Sequence, residues 1–101
     1  MEKINRSQII TLLTDFGLKD AYVGIVKGVI LKIFPSAKIV DITHEIEPHN
    51  ILQASFILAG SWRYFPEGTV HMAVIDPGVG GARRAILVVN KNHFFIGPDN
   101  G

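Results

Sequence analysis

The chain of 101 residues contains no cysteine. Disulfides, thiolate nucleophiles and thiolate metal sites are therefore excluded, and the composition suits a reducing compartment. Charge is also scarce: charged residues make up 19% and the formal net charge is +1. No basic run extends beyond Arg83-Arg84, which argues against a surface that holds nucleic acid by its phosphates. No apolar stretch approaches the roughly 20 residues that span a bilayer. The opening stretch, Met1 to Gln8, is polar and charged and does not read as a secretory signal. These features set the expectation of a cytoplasmic protein that binds a small molecule rather than nucleic acid or membrane. The dinucleotide pattern G-x-G-x-x-G is missing too. Gly78-Val79-Gly80-Gly81 lacks the third glycine at the right spacing, so NAD is not expected. There is no internal repeat and no low-complexity segment.

What is present is 48% apolar residues, enough for one small globular domain of limited core. The most informative stretch is Val70 to Arg84. It begins as a β-branched apolar run of strand length, then breaks at Asp76-Pro77-Gly78. Glycines follow, then two arginines. A carboxylate at a strand end, a loop whose backbone can approach a ligand, and a guanidinium beyond it together resemble a site. Pro-Gly is equally ordinary turn chemistry, with Asp76 starting the turn.

Around that stretch the elements alternate. Ile9 to Thr14 reads as a strand buried on both faces, and it delivers Asp15-Phe16-Gly17 into a turn. Asp15 there could bind a ligand or simply cap local amides. Asp20 is placed to cap a helix from about Ala21 to Phe34, with Tyr22, Val26, Val29, Ile30 and Ile33 as its apolar stripe. Gly24 and Gly28 share one face, which predicts close packing against the sheet or another chain. Lys38 to Thr43 is a second strand. His44-Glu45-Ile46-Glu47-Pro48-His49-Asn50 concentrates imidazoles and carboxylates, but without fixed helical spacing no metal site is assigned. Asn50 should cap a second helix from Ile51 to about Tyr64, with Ile51, Ala54, Ser55, Leu58, Ala59 and Trp62 as its stripe. Val70 to Ile75, Ala85 to Asn90 and His93 to Ile96 complete the strands. Asn90-Lys91-Asn92 reads as a hairpin turn between the last two, and Gly97 to Gly101 as a closing turn. The order predicts a layered α/β domain with a mainly parallel sheet, flanking helices and a C-terminal hairpin. Such a small set of elements reads as a truncated N-terminal α/β domain spanning 1–101.

The motifs Leu12-Leu13-Thr14-Asp15-Phe16-Gly17, Val40-Asp41-Ile42-Thr43-His44, Tyr64-Phe65-Pro66-Glu67-Gly68-Thr69-Val70, Val74-Ile75-Asp76-Pro77-Gly78-Val79-Gly80, Arg83, and Gly97-Pro98-Asp99-Asn100-Gly101 follow one another in a familiar order. In them the chain resembles the S-adenosyl-L-methionine (SAM) hydroxide adenosyltransferases, relatives of the fluorinases and chlorinases, from Ile9 onward. The resemblance implies a hydrolase that cleaves SAM to adenosine and L-methionine by attack of water or hydroxide at the ribose C5′. It makes SAM a substrate and requires no cofactor or metal. Asp76 and Arg83 fall on the residues that handle the water, and Arg84 reads as a solvated side chain. Asp15 matches the acid that binds the ribose hydroxyls, with Phe16 beside it. His49 falls where the fluorinases place a Trp against the substrate, and Asn100 lies in the turn near the nucleoside. The halogenating relatives carry an aromatic residue at the Asp76 position, so a carboxylate there favours water over halide.

The resemblance also implies parts that this stretch does not contain: a catalytic His matched by none of the four histidines, and a C-terminal β-barrel domain that completes the adenine site in a homotrimer. The expectation is an incomplete fragment with little activity alone. The alternatives are a non-catalytic nucleoside- or SAM-binding module, a halogenase, or an interaction domain using the Gly24/Gly28 face.

Overall fold

The computed structural model describes residues 7–75 and 85–98. Asp76, Arg83, Arg84 and Asn100 lie outside the described residues. Five strands form one sheet: β1 (Ile9–Thr14), β2 (Lys38–Thr43), β3 (Val70–Val74), β4 (Ala85–Asn90) and β5 (His93–Pro98). Their order across the sheet is β2-β1-β3-β5-β4. β1 pairs in parallel with β2 and β3, β3 in parallel with β5, and β4 and β5 form an antiparallel hairpin. Lys91 and Asn92 make the hairpin turn at φ 50° and 65°, the left-handed pair that suits the strands' twist. The mainly parallel α/β layering expected from the sequence is thus observed.

β1 is central, and its apolar run is buried on both faces. Leu12 and Leu13 are 0% and 1% exposed and point to opposite sides. On one side Ile10, Leu12 and Val70 pack with Ile30, Val26 and Phe34 of the first helical segment. On the other, Leu13 and Ile75 pack with Ile46, Ala54 and Leu58. The helices α1 (Tyr22–Ile33) and α2 (Ile51–Ser61) therefore cover opposite faces of the sheet.

Several local expectations are corrected. α1 starts at Tyr22 with Ala21 as its cap residue, so Asp20 stands one position too early. Its carboxylate still accepts a hydrogen bond from the Tyr22 amide at 3.2 Å. The buried α1 residues are Val23 and Ile30, whereas Tyr22, Val29 and Ile33 of the expected stripe are exposed. This helix is apolar nearly all round, so periodicity does not select its inner face. Gly24 and Gly28 do not approach the sheet, because a Cβ at either would meet nothing within 4 Å.

In α2, Asn50 caps as expected, its side chain accepting from the Gln53 amide at 2.9 Å. Ser55 and Ala59 of its stripe are exposed. The helix closes in a 3-10 turn, Trp62–Tyr64. Gly97 and Pro98 belong to β5 rather than to a closing turn, and they pair with Ile86 and Ala85. Gly97 has a steric reason to be glycine: a Cβ there would stand 3.0 Å from the Ala73 carbonyl oxygen.

The face of the sheet toward α2 also buries histidines. His71 and His93 are 1% and 4% exposed. His71 Nδ1 lies 2.8 Å from Thr11 Oγ1, and its Nε2 lies 3.1 Å from His93 Nδ1. Phe95 stacks on His71, and Trp62 meets His93 edge-on. Burial, with repulsion from His93, holds the His71 pKa down at about 4. Burial also lowers His93, against the opposing pull of the Glu67 carboxylate. A histidine held neutral in the fold but titrating near 6.5 when unfolded makes the unfolded chain bind protons more readily between those values. The contribution of these histidines to stability is therefore constant above pH ~6.5 and falls as the pH drops toward 4, by on the order of 3 kcal/mol for His71 alone. Urea midpoints at pH 7 and pH 4.5 read this directly. An unchanged midpoint would contradict the buried neutral pair.

Candidate substrate site at the carboxyl ends of the strands

The chain leaves β1 through α1 toward β2 on one side, and β3 lies on the other side of β1. The strand order thus reverses between β1 and β3, the position where open α/β sheets hold ligands beyond the strands' carboxyl ends. Thr14 pairs with Val74 across that boundary. The next residues in sequence are Asp15 just past β1 and Ile75 just past β3.

Asp15 is partly buried and its position is fixed from outside its own strand. Its Oδ2 accepts a hydrogen bond from the backbone amide of His49 at 2.8 Å. His49 itself adopts φ 63°, a left-handed conformation that few residues other than glycine take and that is often retained at functional sites. The structure therefore brings together two of the sequence-predicted site residues, Asp15 and His49, although they are far apart in the chain. Phe16 follows Asp15, half-buried, with its ring 6.0 Å from that of Tyr22. Gly17 turns the chain at φ 73°, and its amide donates to the His44 carbonyl at 2.7 Å.

Beneath this turn lies a cluster whose grouping sequence reasoning did not foresee. His44 is 3% exposed. Its Nδ1 is 2.7 Å from Thr14 Oγ1, and the same hydroxyl oxygen accepts from the Phe16 amide at 3.2 Å. His44 Nε2 lies 2.9 Å from Asp41 Oδ1, a close contact off the axis of a good hydrogen bond. Asp41 Oδ2 accepts from Lys27 Nζ at 2.8 Å. Burial raises the Asp41 pKa, but the Lys27 hydrogen bond and the His44 contact outweigh it, and the carboxyl sits below its ordinary value. In the sequence, Asp41 and His44 stood out only as parts of a family motif and of a segment rich in imidazoles and carboxylates; nothing there linked them to Thr14 or Lys27.

Beside the turn, an apolar notch of about 120 Å³ opens between α2 and the strand ends, lined by Leu13, Ile51, Ala54, Ala73, Ile75 and Pro98 among others. Among the described residues no group of three or more His, Asp or Glu side chains is placed to hold a metal ion. None of the described helices is long and apolar enough to cross a membrane.

Residues 10–101 match the model of the SAM hydroxide adenosyltransferase N-terminal domain. The chain belongs to this family. Within the SAM hydroxide adenosyltransferases it is 49% identical over 98 residues to an (R)-S-adenosyl-L-methionine hydrolase of Methanocaldococcus jannaschii, covering 92% of this chain and 37% of that one. It is 34% identical over 84 residues to a fluorinase of an Actinoplanes species, covering 83% of this chain and 28% of the relative. The crystal structure of an uncharacterized conserved protein from Thermotoga maritima superposes with a TM-score of 0.85 at 50% identity. That match covers 91% of this chain and 36% of the other. The chain thus spans little more than a third of the length of the hydrolase it matches, and the SAM hydroxide adenosyltransferase fold seen here is the amino-terminal α/β part of such proteins.

Proposed function

We propose that this chain is the N-terminal α/β part of an enzyme that hydrolyses SAM to adenosine and L-methionine. The observation that carries the reading is the Asp15 carboxylate at the β1/β3 switch point, held by the His49 amide, in a chain 49% identical to a SAM hydrolase. A carboxylate offers two oxygens, which suits the vicinal hydroxyls of a ribose. Phe16, His49 and Asn100 complete the nucleoside contacts in this reading. Asp76 follows Ile75, so the end of β3 leads to it, as the end of β1 leads to Asp15.

The chemistry asks little of the protein. Water attacks C5′ in line as the sulfonium leaves, and methionine departs neutral at sulfur. The site must orient the water, keep other nucleophiles out and take up one proton. Asp76 accepts that proton or holds the water in line, and Arg83 stabilises developing hydroxide. SAM is the substrate and no cofactor takes part. The working protein is a cytoplasmic homotrimer in which the remaining polypeptide supplies the catalytic His and the rest of the adenine site. A halide-transferring role is disfavoured by the negative charge of Asp76.

Asp15→Asn tests the ribose assignment. The amide keeps one acceptor oxygen and loses the charge. It is expected to weaken adenosine binding by about tenfold or more, the loss typical of a hydrogen bond to a charged group. Binding of 2′-deoxyadenosine should fall much less. Equal effects on both nucleosides would remove Asp15 from the ribose.

A further inference from the structure

We infer that His44 is a positioning residue for the nucleoside site, acting on Asp15 through Thr14 and the backbone of the Asp15-Phe16-Gly17 turn. The inference rests on the reading of Asp15 as the ribose acceptor and assigns the group that sets its place. The direction of the chain follows from giving the Thr14 hydroxyl proton an acceptor. Thr14 Oγ1 accepts from the Phe16 amide, which leaves its hydroxyl proton free to point at His44 Nδ1, 2.7 Å away. Nδ1 is then an acceptor, so the imidazole proton sits on Nε2, facing Asp41 at 2.9 Å. Asp41 is anchored in turn by Lys27.

The two hydrogen bonds of this series run the same way, from the Phe16 amide to Thr14 and from Thr14 to His44, and the far nitrogen of His44 faces the Asp41 carboxylate off the axis of a hydrogen bond. The His44 carbonyl takes the Gly17 amide as well. Both amides that follow Asp15 are thus tied to His44 or to its hydroxyl partner. On its far side the Asp15 carboxylate is tied to His49, at the end of the segment that His44 begins. A buried imidazole tied at Nδ1 to Thr14, with its Nε2 2.9 Å from a carboxylate, is confined in place, and it passes that rigidity to the turn that carries the Asp15 carboxylate.

The test uses the full chain, labelled with 15N, in two measurements. Long-range imidazole spectra read the His44 tautomer, expected to be Nε2–H. Calorimetric titration with adenosine compares the parent with His44→Leu and His44→Asn. Leucine fills the space without an acceptor, and binding is expected to weaken about tenfold. Asparagine places an oxygen where Nδ1 stood, and it is expected to recover most of that loss. An Nδ1–H tautomer, parent-like binding in His44→Leu, or equal loss in both variants would overturn the inference. Should His44→Leu fail to fold, the tautomer and the asparagine variant still decide it. The ribose reading beneath it fails separately: Asp15→Asn would then bind adenosine as the parent does, while the His44 tautomer stays Nε2–H.

Discussion

Asp76→Ala is expected to lower SAM cleavage by about 10²–10⁴-fold, the usual contribution of a positioned proton acceptor, while adenosine binding stays near that of the parent. The assay needs a protein of full family length. A chimera in which this chain replaces the matching 37% of the M. jannaschii hydrolase supplies one. The sulfonium of SAM is already an able leaving group, so the barrier left to the protein lies in aligning the water and removing its proton. A methyl group in place of the carboxylate does neither. Asp76→Asn separates the two roles, since the amide orients water through its oxygen but cannot accept a proton at neutral pH. If Asp76 is the base, asparagine and alanine are about equally inactive. If it only orients, asparagine keeps a substantial part of the rate. In both cases Asp15 is untouched, so the loss falls on kcat rather than on nucleoside affinity. Turnover by Asp76→Ala within a few-fold of the parent would contradict the assignment.

The second large effect is on the fold. Leu12 is 0% exposed at the centre of β1, between β2 and β3 and against Ile10, Ile30 and Val70. Leu12→Ala removes most of a side chain that is enclosed on all sides by sheet and helix, and the surroundings cannot fully collapse into the space. A loss of about 2–5 kcal/mol follows. Small domains have only about 5–15 kcal/mol in total, so a substantial unfolded population is expected at physiological temperature. Leu52, 82% exposed on α2, provides the contrast, with Leu52→Ala changing stability by less than about 0.5 kcal/mol. Urea denaturation followed by circular dichroism compares the two. Equal midpoints would show that the β1 core is not the centre of stability.

The strands were legible because their signals are local. Ile9–Thr14 is an uninterrupted apolar run, and a strand paired on both sides needs nothing more than that. Val70–Val74 and the hairpin turn at Lys91-Asn92 were legible for similar reasons. The inner face of α1 was not, because Ile25, Val29 and Ile33 are as apolar as Val23 and Ile30. The choice between the faces is made by the sheet, not by the helix. The buried histidines were also hidden. His71 finds Thr11, and His44 finds Thr14, only after parallel strands from distant parts of the chain come together. Read singly, each imidazole looks like any polar residue. Of the candidate site, Asp15 was legible as a carboxylate leaving a strand. Its partnership with the His49 amide was not, because it depends on where the loop before α2 folds back. Asp76 was legible in the same way as Asp15, with a glycine loop and a guanidinium beyond it, but its role and those of Arg83 and Asn100 stand on the resemblance, and all three lie outside the described residues.

The central proposal is that this chain is the N-terminal part of a SAM hydrolase and carries its ribose and water-handling carboxylates, and chromatography of a single reaction tests it most directly. SAM incubated with the chimera should yield adenosine and methionine in equal amounts, with no dependence on chloride or fluoride. No adenosine from a folded chimera, or a halogenated nucleoside formed only with halide present, would contradict the account.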